Sequence, residues 1–334
     1  MSPVQVFFTP TIAPEAVVAA YDALGLTLPG RVGVKVHSGE VGNQNFTRPD
    51  FVKPVVDHVG GIIVEANTAY AGGRNSTAKH WQTLKRHGWT DIAQVDLLDE
   101  DGEVEWPIPS GTRIHTDFVG SHLPTYDSLL VLTHFKGHPM GGFGGALKNI
   151  AIGLASAHGK RYIHGAGDTV RLFRTAQDQF LDAMADASRA IVDHFPPGRA
   201  AYVSVMKNLS VDCDCCAVAE DPAMADIGIL SSTDPVALDQ ACIDLVYGSA
   251  DPGRTALIKR IESKQGLRIL ETAAALGVGS REYELVRLEG DPHNQAVEHV
   301  AVGSGPGANP RNQAVEQVSE ANGVETLAGS YSER

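Results

Sequence analysis

Residues 129–160 read LLVLTHFKGHPMGGFGGALKNIAIGLASAHGK. An apolar, β-branched run passes into a polar loop crowded with glycine, and apolar residues at helical spacing follow. That order predicts a buried strand, a loop and a helix beginning near Gly144. Working outward, strand patterns recur at 4–8 (VQVFF), 31–38 (RVGVKVHS), 61–68 (GIIVEANT), 92–98 (IAQVDLL), 200–206 (AAYVSVM) and 226–232 (DIGILSS). Helical windows lie between them at 13–26, 48–59 and 169–195, the last stopped by PPG at 196–198. Asp234 can cap a further helix whose first residue is Pro235. Alternation of this kind predicts an α/β fold, mainly parallel sheet flanked by helices, as one unit or as two lobes around a cleft. Functional residues then gather on loops beyond the carboxyl ends of the strands.

The chain has 334 residues and a formal net charge of -13. Such a charge opposes attraction to phosphate backbones and anionic lipid, which argues against nucleic acid and membrane as partners. No apolar run reaches the ~18 residues that span a bilayer, and MSPVQVFFTP has neither a basic start nor a cleavage pattern, so a cytoplasmic protein is expected. Three of the four cysteines crowd into VDCDCC, as Cys213, Cys215 and Cys216, which does not resemble the disulfide framework of a secreted domain. Residues 1–289 read as the α/β catalytic region, with a lobe boundary, if there is one, near 120–170; 290–334 read as a polar extension that forms short helices on a partner or stays mobile.

Chemistry concentrates around the glycine loop. Glycines at a strand-to-helix junction expose amide donors, and a helix N-terminus favours an anion, so Gly142, Gly144, Gly145 and Asn149 are candidate substrate contacts. The spacing matches neither the phosphate-loop signature nor the dinucleotide fingerprint, and tight packing is the competing explanation of the glycines. His134, Lys136 and His138 precede the loop, Lys148 lies a turn into the helix, and His158, Lys160 and His164 follow. Imidazoles suit zinc, iron, nickel or copper, and a buried lysine amine can form an imine or transfer protons. His138, His164, His134, Cys213, Cys215 and Cys216 are therefore candidate metal ligands; Asp212 or Asp214 could add oxygen, and Cys242 is the remaining thiol for a four-iron cluster. Two more loops, VHSGEVGNQNFTRP (36–49) and EANTAYAGGRNSTAKHW (65–81), supply His37, Glu40, Arg48, Glu65, Tyr70, Arg74 and His80, with Arg48 and Arg74 as candidate substrate contacts.

LTHFKGHPMGGFGGALKN, VDCDCC, DIGILSSTDPVALDQACIDLVY and GVGSREYELV together resemble the domain of unknown function 362 family, over roughly residues 5–289. Members are often labelled iron–sulfur centre proteins and carry an inserted ferredoxin-like module. Here IHGAGDTVRLFRTAQDQF runs straight through the place of that module, without its cysteine motif. A more distant resemblance, to the nickel-dependent lactate racemase family, rests on His138, GFGG, Lys148 and His164 in that order, with shorter matches at TRPDF (Arg48) and TAKHW (His80). It implies that Lys148 holds a nickel pincer-type nucleotide, that His138, His164 and His80 act as acid, base or metal ligand, and that Arg48 grips a substrate carboxylate. The expected cofactor is thus an unknown metal, with iron, as an iron–sulfur centre, or the nickel nucleotide as candidates. The expected function is a metal- or metal-organic-cofactor-dependent enzyme transferring a proton or hydride on a small oxygenated substrate, oxidoreduction being favoured and a redox partner or homo-oligomer allowed. A 2-hydroxy-acid racemase or epimerase and a non-catalytic metal-binding protein are the alternatives.

Overall fold

The computed structural model describes residues 3–172, 174–289 and 296–300. In chain order the elements are β1 (Val4–Thr9), α1 (Pro14–Asp22), β2 (Val32–Lys35), α2 (Pro49–His58), β3 (Ile62–Glu65), α3 (Thr77–Arg86), α4 (Trp89–Ile92), β4 (Val95–Leu97), β5 (Glu103–Pro107) and β6 (Thr116–Gly120). There follow β7 (Ser128–His134), β8 (Lys136–His138), β9 (Gly142–Gly144), α5 (Ala146–Leu154), α6 (Ala157–His164), α7 (Gln177–His194), β10 (Ala200–Met206), β11 (Gly228–Ser232), α8 (Pro235–Gly248), α9 (Arg254–Ser263), α10 (Arg268–Ala275), β12 (Tyr283–Glu289) and β13 (Ala296–Val300).

Nine strands form one sheet in the order β13-β12-β1-β11-β10-β7-β2-β3-β4. β10, β7, β2, β3 and β4 pair in parallel, β1 pairs in parallel with β12, and β11 and β13 run against their neighbours. The mainly parallel sheet follows from its sequence: every residue of β7 and β10 is buried, as strands covered on both faces require. Alternate residues feed two cores. Leu129 and Val131 face a core shared with α5, α7 and α8, whereas Leu130 and Leu132 face one shared with α1 and α2. The sheet takes strands from both sides of 120–170, so it is continuous across that stretch.

Several expectations shift. The helix expected from 169 begins at Gln177; before it, Val170 is 89% exposed and Asp168 makes turn hydrogen bonds to the amides of Val170 and Arg171. The helix expected near Gly144 begins at Ala146, because Phe143 and Gly144 pair with β8 instead. Asp234 caps α8 as expected, accepting from the amides of Val236 and Ala237. Within the extension, Ala296–Val300 form a strand on β12, and the rest of 290–334 lies outside the described residues. Among the described residues no helix is long and apolar enough to cross a membrane.

Candidate active site

The strand order reverses between β2 and β7: the chain proceeds from β2 to β3 and β4 on one side and from β7 to β10 on the other. In such sheets the crevice beyond the carboxyl ends at the reversal is where ligands bind. Here those ends carry Lys35, Glu65 and His134, and the loops that follow fold over them. Val36, His37, Thr133 and His134 line a cavity at the junction. The loop after β2 is fastened to the cysteine loop after β10, the Glu40 amide donating to the Asp214 carbonyl at 2.8 Å. The Asn43 side chain donates to the Cys216 carbonyl, also at 2.8 Å. Gly137 closes the third side, its amide donating to the Ser210 carbonyl at 2.8 Å; a Cβ at Gly137 would collide with the backbone of Val211.

Two buried carboxylates organise the charges. Glu65 accepts from Lys35 Nζ at 2.7 Å and from the Ser38 amide at 2.7 Å, with Arg74 Nη1 at 3.8 Å. Burial alone would raise its pKa, but Lys35 and Arg74 hold it well below the usual carboxylate range. Asp214 pairs with Lys136 Nζ at 2.9 Å and His134 Nδ1 at 2.9 Å. His134 Nε2 also meets the Lys207 carbonyl at 2.6 Å. Both ring nitrogens of His134 face oxygen acceptors, so it braces Asp214 instead of offering a metal ligand. Asp212 is engaged likewise, by Arg260 at 3.2 Å and the Glu220 amide at 3.1 Å.

Beside these pairs, donor atoms of His138, Cys213 and Cys215 lie within 4.8 Å of one another, and Lys148 Nζ stands 3.7 Å from Cys213 Sγ. Burial would raise the Cys213 thiol, yet hydrogen bonding with Cys215 and the charges of Lys148 and His138 hold it well below the ordinary thiol range. Burial likewise pushes Lys148 down, and Cys213, Cys215 and Asp214 more than reverse it. His138 Nδ1 accepts from the amides of Met140 at 3.2 Å and Gly141 at 2.7 Å, which fixes the ring proton on Nε2. Cys216 follows Cys215 in the chain but is not among the converging donor atoms. Cys242 is buried in α8, also apart from that group, so the four thiols do not converge as a four-cysteine cluster requires.

His164, 5% exposed, stacks on Phe180 and lies with its Nδ1 2.6 Å from the Lys160 carbonyl. Burial, reinforced by the charges of His138, Lys148 and Lys160, drives it down to about 4. His80 uses both ring nitrogens, on Asn67 at 3.3 Å and Ser38 at 3.4 Å, and burial pushes it down to about 3. Arg74 joins the buried charges, whereas Arg48 does not: it lies exposed over the Phe46 ring at 4.0 Å and donates to the Gln44 carbonyl. Asn149 ties α5 to β7 through the Leu132 carbonyl and Thr133. Gly142 packs on Gly266 and Gly144 on the Lys136 side chain.

The anion site expected at the start of α5 is filled from within the chain. Asp239, on α8, accepts from the amides of Ala146 at 2.6 Å and Leu147 at 2.9 Å, and a Cβ at Gly145 would collide with its carboxylate. Sequence reasoning passed over Asp239, and over Lys35 as a partner of Glu65. The available signal was an acid inside the apolar stretch VALDQACIDLV and a lysine inside the buried strand VGVK.

A family model described as Domain of unknown function (DUF362) matches residues 32–244, the stretch from β2 into α8 that supplies His138, Lys148, the cysteine loop and the buried charges around them. The chain belongs to this family. No curated protein matches its sequence. Among solved structures, this DUF362 chain is similar to the lactate racemase apoprotein from Thermoanaerobacterium thermosaccharolyticum, with 14% identity, a TM-score of 0.43, and coverage of 73% of this chain and 58% of that one. It is also similar to a protein from Thermotoga maritima, with 11% identity, a TM-score of 0.42, and coverage of 77% and 59%. The DUF362 chain thus spans less than two thirds of either neighbour.

Proposed function

We propose that this protein is a metal-dependent enzyme that moves a proton or hydride at an oxygen-bearing carbon of a small substrate bound beside the thiols. The observation that carries this reading is the convergence of His138, Lys148, Cys213 and Cys215 at the strand-order reversal. Sulfur and imidazole donors select zinc, iron, nickel or copper(I) over magnesium or calcium. Cys213 fits as a thiolate ligand; Cys215, whose thiol is pushed well up first by its hydrogen bond with Cys213, would give up its proton on binding. His138 supplies the third donor through Nε2, and in doing so must exchange the two amide hydrogen bonds at Nδ1, because a ligating imidazole donates from its other nitrogen. A bound metal would supply a Lewis acid that polarises a substrate oxygen.

The chain's own groups do the remainder. Lys148 keeps its ammonium beside the thiols and can hold a developing negative charge on a substrate oxygen. Burial keeps the His164 imidazole neutral near pH 7, the form that accepts a proton. Thiol donors favour oxidoreduction. Two imidazoles with depressed pKa values, His138 and His164, favour a second reading, a 2-hydroxy-acid racemase or epimerase with one imidazole taking a proton and the other returning it.

Metal analysis, absorption spectrum and intact mass of the purified chain test the first reading. Reconstituted protein should retain zinc, iron or nickel, and the Cys213→Ser, Cys215→Ser pair should lose it. Protein that retains none of these metals and carries no added mass on Lys148 would count against it. Solvent deuterium appearing at a substrate carbon selects proton transfer over hydride return.

A further inference from the structure

Arg74 is 3% exposed and held on two of its three nitrogens: Nε lies 3.4 Å from Glu40 and Nη1 lies 3.8 Å from Glu65. Its Nη2 is buried without a hydrogen-bond partner. An unpaired buried donor is costly, and a guanidinium nitrogen more so, which marks it as a ligand position. The clamp on the other two nitrogens is built for rigidity. Glu40 also accepts from the amides of Gly73 at 2.5 Å and Val41 at 3.1 Å, and the Arg74 carbonyl accepts from the Thr68 amide at 2.9 Å.

Arg74 lies close to the thiols and to Lys148: Tyr70 and Cys215 both act on its charge, and Cys215 acts on that of Lys148. Tyr70, Cys215 and Lys148 are half-buried whereas Arg74 is buried. We propose that Arg74, with Lys148 and the Tyr70 hydroxyl, anchors the carboxylate of a small organic acid substrate. Bidentate or single charge-assisted contacts to guanidinium suit a carboxylate. Phosphate suits Arg74 less well: the α5 amides that could cradle it are taken by Asp239, and Glu40 and Glu65 repel a dianion more strongly than a monoanion. The assignment rests on the substrate binding beside Lys148 and the thiols, as proposed above, and stands without a metal there.

Calorimetric titration of the full chain with acetate, glycolate, acetamide and inorganic phosphate tests it. The wild-type chain should bind the carboxylates saturably and acetamide not at all. Arg74→Lys, which keeps the charge and loses the fork, should weaken carboxylate binding by about tenfold or more. Zinc retention by the same protein should not change. Should Arg74→Lys fail to fold, Tyr70→Phe carries the test with a smaller loss in the same direction. Carboxylate binding unchanged in either folded variant, tighter binding of phosphate, or no saturable carboxylate binding by the wild type overturns the assignment. Carboxylate binding that persists in a chain retaining no metal overturns the metal reading and leaves Arg74 in place.

Discussion

Asp239→Ala isolates the internal plug at the start of α5. It removes both acceptors from the Ala146 and Leu147 amides, which lie at 2.6 and 2.9 Å from the carboxylate in a buried setting. A buried donor left unsatisfied costs about 1–3 kcal/mol, so the pair should cost about 2–6 kcal/mol. Urea denaturation followed by circular dichroism should show the midpoint falling at unchanged slope. The vacated helix terminus should then behave as the anion site the sequence suggested. Formate or sulfate should recover part of the loss in the variant, by about 2.7 kcal/mol at a hundred times the dissociation constant, and leave the wild type unmoved. A loss below about 1 kcal/mol, or equal stabilisation of both proteins by formate, would refute the account of Asp239 as the ligand of that helix.

Asp117 is fully buried with no hydrogen-bond partner at either carboxylate oxygen, and burial pushes it from 3.8 up to about 7. Its stability contribution is therefore present below about pH 4 and lost as the pH rises through 7, by up to about 4 kcal/mol. Asp117→Asn should match the wild type in thermal melts near pH 4 and exceed it near pH 8; equal melting curves at both would contradict this. Glu65→Gln leaves Lys35 and Arg74 buried beside a neutral amide and should cost about 3–5 kcal/mol in chemical denaturation, whereas a loss within experimental scatter would show that Glu65 is not the pivot. Arg48→Ala should change stability by no more than about 1 kcal/mol. It should also leave metal content and acetate affinity unaltered, and a drop in either would return Arg48 to the site.

What the sequence made legible was governed by local pattern. The strands that became β1, β2, β3, β4, β7, β10 and β11 announced themselves as apolar runs between helical windows, because burial in a covered sheet keeps most of their positions apolar. β5 and β6 were passed over, since EVEWP puts charged residues on a half-exposed two-stranded ribbon. β8 and β9 were hidden by the glycines that let them fold back. His138 and Lys148 could be singled out by their crowding around one loop. The partners that give them meaning come from far away: Lys35 from Glu65, Lys148 from Cys213, Ala146 from Asp239, 30 to 93 positions distant. Nothing local encodes such pairings, and so Arg48 and Arg74 looked alike until the fold buried one and stacked the other on Phe46.

The fastening of the loop after β2 to the cysteine loop joins Asn43 to Cys216 across 173 positions. A ribosome exposes the first partner long before it makes the second. Throughout that interval Lys35, Glu65 and Arg74 lack the wall that closes over them, and no dithiol exists to capture an ion. On the proposed metal reading, capture of an ion then waits for the cysteine loop, and chains stalled before Cys216 should emerge from translation empty.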